Sequence, residues 1–336
     1  MTFTAATEEV IDPELPICDP HHHLWDRQGH RYLLDELLAD TGQADAHGAC
    51  HNVRSTVFVE CASMYRADGP EALRPVGETE FVNGIAAMSA SGGYGPTRGA
   101  AAIVAFADLC LGAAVREVLE AHIGAARGRF RGIRHAAGWH ASAQIRNSHS
   151  NPVEHLLLDT TFREGFAQLA PLGLSFDAWL FHPQLPDLTD LARAFPGTTI
   201  VLDHFGGPLG IGPYDGHADA VYADWKRDID ALARCPNVVA KLGGLAMPIN
   251  GFGWHKREPL PTSQQLADAT ARYYLHTIER FGPERCMFES NFPVDKVSCS
   301  YLVLWNSFKR LAAGFSPAEK AALFHNTAAR VYRLGD

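Results

Sequence analysis

The stretch Ile17-Cys18-Asp19-Pro20-His21-His22-His23-Leu24-Trp25-Asp26 decides the reading of this chain. An apolar entry, a proline and then polar residues describe a short buried strand whose C-terminal end carries imidazoles. Side chains alternate along a strand, so His21 and His23 reach one common point while His22 faces the other way. Neutral imidazole binds zinc-like metals and carries protons near neutral pH. A purification tag would sit at a terminus in a longer run, and this trio is embedded in apolar sequence.

Working outward, apolar stretches of strand length recur at 54–60, 102–109, 130–135, 174–181, 199–204, 237–242 and 285–290, which with 17–23 makes eight. Helix-like stretches such as 112–126, 153–170, 219–234 and 264–281 lie between them, with apolar residues three and four apart. Strands alternating with helices imply a parallel α/β sheet, and eight units predict a closed (β/α)8 TIM barrel. Ser316-Pro317-Ala318-Glu319 opens a further, C-terminal helix packed on the barrel. Residues 1–16 form an N-terminal arm and 17–336 a single domain. The connections at 61–70, 91–99, 136–151, 205–218 and 243–263 are longer than a barrel needs, which favours active-site loops.

Composition narrows the partners. Against 38 Asp and Glu the chain has 29 Lys and Arg, a net charge of −9, which disfavours nucleic acid and anionic membranes and points to a small-molecule substrate. Seven cysteines without a Cys-x-x-Cys pair do not suit a disulfide framework, so a reducing cytoplasm is expected. The first 16 residues make a poor signal peptide, and no apolar run is long enough to span a membrane. A homo-oligomer is left open.

Barrel function resides at the C-terminal strand ends. Those ends carry His21 and His23, Glu60, Arg134 and His135, His182, Asp203 and His204, Lys241, and Glu289-Ser290-Asn291. Imidazoles on four of eight otherwise apolar strands are hard to explain by packing. Together, Asp19-Pro20-His21-His22-His23-Leu24-Trp25-Asp26, Gly132-Ile133-Arg134-His135, His182-Pro183-Gln184-Leu185, Leu202-Asp203-His204-Phe205-Gly206-Gly207-Pro208, Lys241-Leu242-Gly243-Gly244-Leu245 and Met287-Phe288-Glu289-Ser290-Asn291-Phe292-Pro293-Val294-Asp295 resemble the amidohydrolase-related TIM-barrel hydrolases. The likeness is to their lactonase branch, with its pyrone-dicarboxylate lactonases, sulfomuconolactonases and sugar-acid lactonases. It covers nearly the whole chain and implies a distorted barrel that hydrolyses a cyclic ester. It also implies that His21, His23, His182 and His204 surround one divalent metal, zinc above all, or in a metal-free site the substrate carbonyl.

The family usually places an Asp at the end of the eighth strand, as metal ligand and general base; Asn291 stands there, and an amide takes up no proton at working pH. Glu289, two residues earlier on the same inward face, is the first replacement, and Asp295 the second; a buried ion pair of Glu289 with Lys241 or Arg134 is the plainer alternative. Asn291 would then orient water or bind a carbonyl, and His204 completes the catalytic set. Arg134, Lys241, His182 and Trp25 are substrate-binding candidates, the two cations pointing to an anionic substrate unless they merely neutralise nearby acids. Trp139, Trp179 and Trp254 line a pocket or belong to the core. The loop from Asn250 to Lys256 is a lid or a fixed surface loop. Activated-water hydrolysis of a carboxylated lactone is the leading expectation; a metal-dependent decarboxylase and a non-catalytic binding protein are the alternatives.

Overall fold

Runs of Val, Ile, Ala and Phe give strands buried on both faces, as a parallel sheet wrapped by helices requires. In the computed structural model, which describes residues 8–27, 29–126 and 128–335, eight parallel strands follow one another in chain order. They are β1 (Pro16–His22), β2 (Asn52–Val59), β3 (Arg98–Ala105), β4 (Phe130–Arg134), β5 (Ser175–Ala178), β6 (Ile200–Leu202), β7 (Val238–Leu242) and β8 (Cys286–Phe288). The fold is a (β/α)8 barrel. Its helices are α1 (Leu34–Thr41), α2 (Val76–Ala90), α3 (Val115–Ala126), α4 (Thr160–Phe166), α5 (Leu185–Ala194), α6 (Ala218–Leu232), α7 (Ser263–Phe281), α8 (Tyr301–Leu311), α9 (Pro317–Ala321) and α10 (Thr327–Val331). All seven cysteines are free. No helix among the described residues is long and apolar enough to cross a membrane.

The seam between β8 and β1 is closed at the C-terminal mouth rather than along a ladder. His22 and Phe292 form an isolated parallel bridge, the His23 N–H donates to the Phe292 carbonyl at 2.8 Å, and the Asn291 N–H donates to the His21 carbonyl at 3.0 Å. Alternation along the strands sends Ile17, Phe58, Ile103, Ile133 and Phe288 outward to the helices. Cys18, Val57, Val59, Val104, Val201, Val239 and Met287 face the barrel interior. The tail plugs the opposite end of that interior with Ala328 and Tyr332.

Several boundaries differ from expectation. The helix expected over 153–170 is confined to α4, because the Asp159 side chain caps it by accepting from the Phe162 N–H at 2.8 Å. The strand expected over 174–181 ends at Ala178, and the third strand begins at Arg98 and stops at Ala105. The tail helix starts at the Ser316 capping box but is broken into α9 and α10 by a π-turn over Ala322–Asn326. Arm residues 8–15 are tied down, Val10 N–H to Asp45 and Ile11 N–H to Asn306, whereas residues 1–7 lie outside the described residues.

Candidate active site

β1, β6 and β8 bring His21, His204 and Glu289 together, each from the last inward-facing position of its strand or just beyond it. One ligand atom from each lies within 4.8 Å of the other two, and all three side chains are buried. Glu289 bridges the imidazoles, with Oε1 2.6 Å from His204 Nδ1 and Oε2 2.9 Å from His21 Nδ1. Two glycines after β7 make the room: a Cβ on Gly243 would run into Glu289, and one on Gly244 would lie 2.5 Å from His204 Cγ. His204, Phe205 and Asn291 all hold left-handed backbone, with φ of 51°, 58° and 55°. Such strain in non-glycine residues persists where surrounding structure enforces it, commonly at functional sites.

Beneath this cluster lies a layer of buried charge. Lys241 Nζ is 2.6 Å from Asp177 Oδ2, 3.2 Å from Asp203 Oδ1 and 3.3 Å from His21 Nδ1. The Tyr332 hydroxyl donates to Asp177 at 2.7 Å, joining the C-terminal plug to the site from below. Arg134 is held by Glu60 at 2.7 Å, and its Nη1 lies 3.3 Å from His21 Nε2 and 3.4 Å from Asp203 Oδ2. Both cations expected to meet an anionic substrate are thus engaged with carboxylates. Burial pushes the Asp203 carboxyl up, but the Lys241 ammonium and His21 hold it well below the usual carboxylate range. Burial would lower Lys241, yet Asp177 and Asp203 raise it. Burial depresses His21, and His204 to about 3, so both are neutral at working pH.

His23 gives Nδ1 to the Val59 carbonyl at 2.8 Å, stacks on Trp25 and lies 5.0 Å from His21, centroid to centroid. His22 turns away to Thr56 at 2.8 Å, as the alternation required. His182 accepts the Leu209 N–H through Nδ1 and packs on Tyr214, outside the three-residue cluster. Asn291 donates through Nδ2 to Asp295 at 2.9 Å, and Asp295 is buried behind it rather than in the cluster. His135 turns to Leu109 and the Phe106 ring. Trp179 meets His204 edge-on, while Trp254 is buried against Phe252; Trp139 is half-buried, its backbone N–H donating to the Gln184 side chain. The loop at 250–256 is docked, with Asn250 donating to the Pro208 carbonyl and Gly210 N–H to Ile249. No motif in the sequence singles out Asp177, Tyr332 or His149, which binds Glu60 at 3.0 Å. Only the inward register of Asp177 within an apolar strand could have signalled it.

A divalent cation fits these residues. Glu289 Oε2 and Asp203 Oδ1 are buried without a well-angled hydrogen bond, although His21 and Lys241 lie within ion-pair distance of them. Four carboxylates, from Glu60, Asp177, Asp203 and Glu289, face two cations there, Lys241 and Arg134, an excess a divalent ion would neutralise.

Residues 18–334 match the amidohydrolase family. The chain belongs to that family. This amidohydrolase is 32% identical over 332 residues to the uncharacterized protein y4mH of Sinorhizobium fredii (strain NBRC 101917 / NGR234), covering 96% of this chain and 99% of the relative. It is 33% identical over 177 residues to the L-fucono-1,5-lactonase of Burkholderia multivorans (strain ATCC 17616 / 249), covering 52% and 57%. Among solved structures, an amidohydrolase from Burkholderia multivorans with bound zinc superposes with a TM-score of 0.69 at 25% identity, over 95% of this chain and 99% of that one.

Proposed function

We propose that this amidohydrolase opens a lactone by attack of an activated water, with Glu289 as proton acceptor. The observation that carries the reading is the buried Glu289 carboxylate, held between two imidazoles with one oxygen lacking a well-angled hydrogen bond, at the mouth of an amidohydrolase barrel. His21, His204 and Glu289 would hold a divalent ion, with His23 and His182 at the rim of the same mouth. When bound, that ion supplies Lewis acidity at the ester carbonyl. The His204 and His21 rings fix the rotamer of Glu289, so its carboxylate needs no reorganisation when it takes a proton from water. Asn291 orients that water. Trp25 and Trp179, flanking His23 and His204, offer aromatic faces to a ring substrate. Because Arg134 and Lys241 are matched by carboxylates, the reading favours a neutral polyhydroxy lactone over the carboxylated one expected from sequence. The lactonase likeness of the Burkholderia relative makes 1,5-lactones of sugar acids the first compounds to test.

The test is a panel of sugar-acid lactones assayed with zinc-loaded and chelator-stripped protein, beside Glu289→Gln. The near-isosteric variant should fold normally and lose on the order of 10²-fold or more in turnover. Full activity in Glu289→Gln would remove Glu289 as the base, and release of CO2 from aromatic acids without lactone hydrolysis would replace the reaction class.

A further inference from the structure

Resting on that reading of the site, we propose that Asp295 is a positioning residue that locks the Asn291 amide with its nitrogen turned away, so that only the amide oxygen is offered to a ligand. Asp295 is fully buried and accepts twice: Oδ1 from Asn291 Nδ2 at 2.9 Å, and Oδ2 from the Ala246 N–H at 3.2 Å. The backbone is pinned as well. The Asp295 N–H donates to the Asn291 carbonyl at 3.2 Å, and the Asn291 N–H donates to His21. Ala246 is a fixed donor, so Oδ2 must accept, and Oδ1 is what remains for Asn291. A carboxylate has no hydrogen to give, so Asn291 must meet it with its NH2 group. Burial pushes the Asp295 carboxyl well above its ordinary range, while the Asn291 and Ala246 N–H groups oppose that rise. A proton on Oδ1 would demand the amide oxygen instead, so the orientation proposed here is that of the ionised carboxylate.

The consequence for chemistry is that Asn291 acts as an acceptor toward water or as a neutral oxygen toward a cation, and not as an oxyanion donor. The polarity of the pair can be reversed by design. In Asp295→Asn, the new amide oxygen must accept from Ala246, so its NH2 group faces Asn291 and forces that amide to turn its own NH2 toward the mouth. In Asn291→Asp alone, two carboxyl groups at hydrogen-bond distance would share a proton, cancelling much of the gain from an anionic oxygen. In the double variant Asn291→Asp/Asp295→Asn, every donor again meets an acceptor and the carboxylate is at position 291.

The experiment measures zinc affinity by competition with a chelating dye, and hydrogen exchange of the Asn291 side-chain NH2 by NMR, its signals assigned by their loss in Asn291→Ser. Wild type should show a protected NH2. Asp295→Asn, with its melting temperature near wild type, should lose that protection and tenfold or more in zinc affinity. The double variant should bind zinc at least tenfold more tightly than Asp295→Asn. Unchanged protection in Asp295→Asn, an unprotected wild-type NH2, or a double variant no better than Asp295→Asn would each overturn the proposal. If wild type binds no zinc, the metal part of the proposed function fails, and the exchange measurement alone decides the orientation.

Discussion

Gly244 holds left-handed backbone, with φ of 74°, directly against the His204 ring. A methyl group there meets both the backbone preference and the imidazole, and His204 cannot retreat because Glu289 and Trp179 hold it. Gly244→Ala should therefore displace His204, lower zinc content in elemental analysis and reduce lactone turnover by on the order of tenfold or more, because small displacements of a reacting group cost large factors in rate. A variant with wild-type zinc content and turnover would show that His204 has more freedom than its contacts suggest. The histidines and Glu289 were legible in sequence because a polar residue at the end of an apolar strand needs a reason to be there. What the sequence concealed is which of them meet. His23 and His182 share the strand-end placement of His21 and His204 but lie outside their cluster: the Leu209 N–H occupies His182 Nδ1, while the Val59 carbonyl takes His23 Nδ1 and leaves its Nε2 open. Such partners are set by loop backbone, which no side-chain pattern encodes.

Among the elements, all eight strands were readable because each is an apolar run bounded by polar residues. Helices were harder. α2 carries Gly, Thr and Asn among its apolar residues and is buried on several sides, so it shows no clean stripe, and α8 is buried nearly all round. The packing of α2 on α3 has a measurable signature. His122 on α3 is buried, with Nδ1 2.7 Å from the Thr79 hydroxyl and Nε2 3.0 Å from the Phe106 carbonyl. Burial lowers it to about 4, against 6.5 for a free imidazole. Between those values the unfolded chain binds the extra proton, so the stabilisation is fully present above pH 6.5 and is lost as pH falls toward 4. The loss amounts to about 3 kcal/mol when complete. His122→Gln should flatten the acid limb of stability measured by urea unfolding at pH 7 and pH 5, and an unchanged limb would place the acid sensitivity elsewhere.

At the scale of the whole molecule, the site is joined to both ends of the barrel. Below it, the Tyr332 hydroxyl is one of two partners of Asp177 Oδ2. Tyr332→Phe removes a hydrogen bond to a buried carboxylate without leaving space, so unfolding free energy should fall by roughly 1.5–3 kcal/mol. A loss under about 0.5 kcal/mol would mean that Lys241 alone satisfies Asp177. This link was invisible in sequence because Asp177 and Tyr332 lie 155 residues apart. Above it, the mouth is also the clasp of the barrel. Ser290 N–H reaches Asp19 and Ser290 Oγ reaches the His21 carbonyl, across separations of 271 and 269 residues. Contacts of such sequence distance close long loops before they are rewarded, which slows folding. On the ribosome, a nascent chain that has emerged only as far as β7 carries both histidines but neither Glu289 nor the residues that close the seam. The proposed centre is completed only by the eighth strand and the residues that follow it, so on that reading a chain arrested before Glu289 would be catalytically silent.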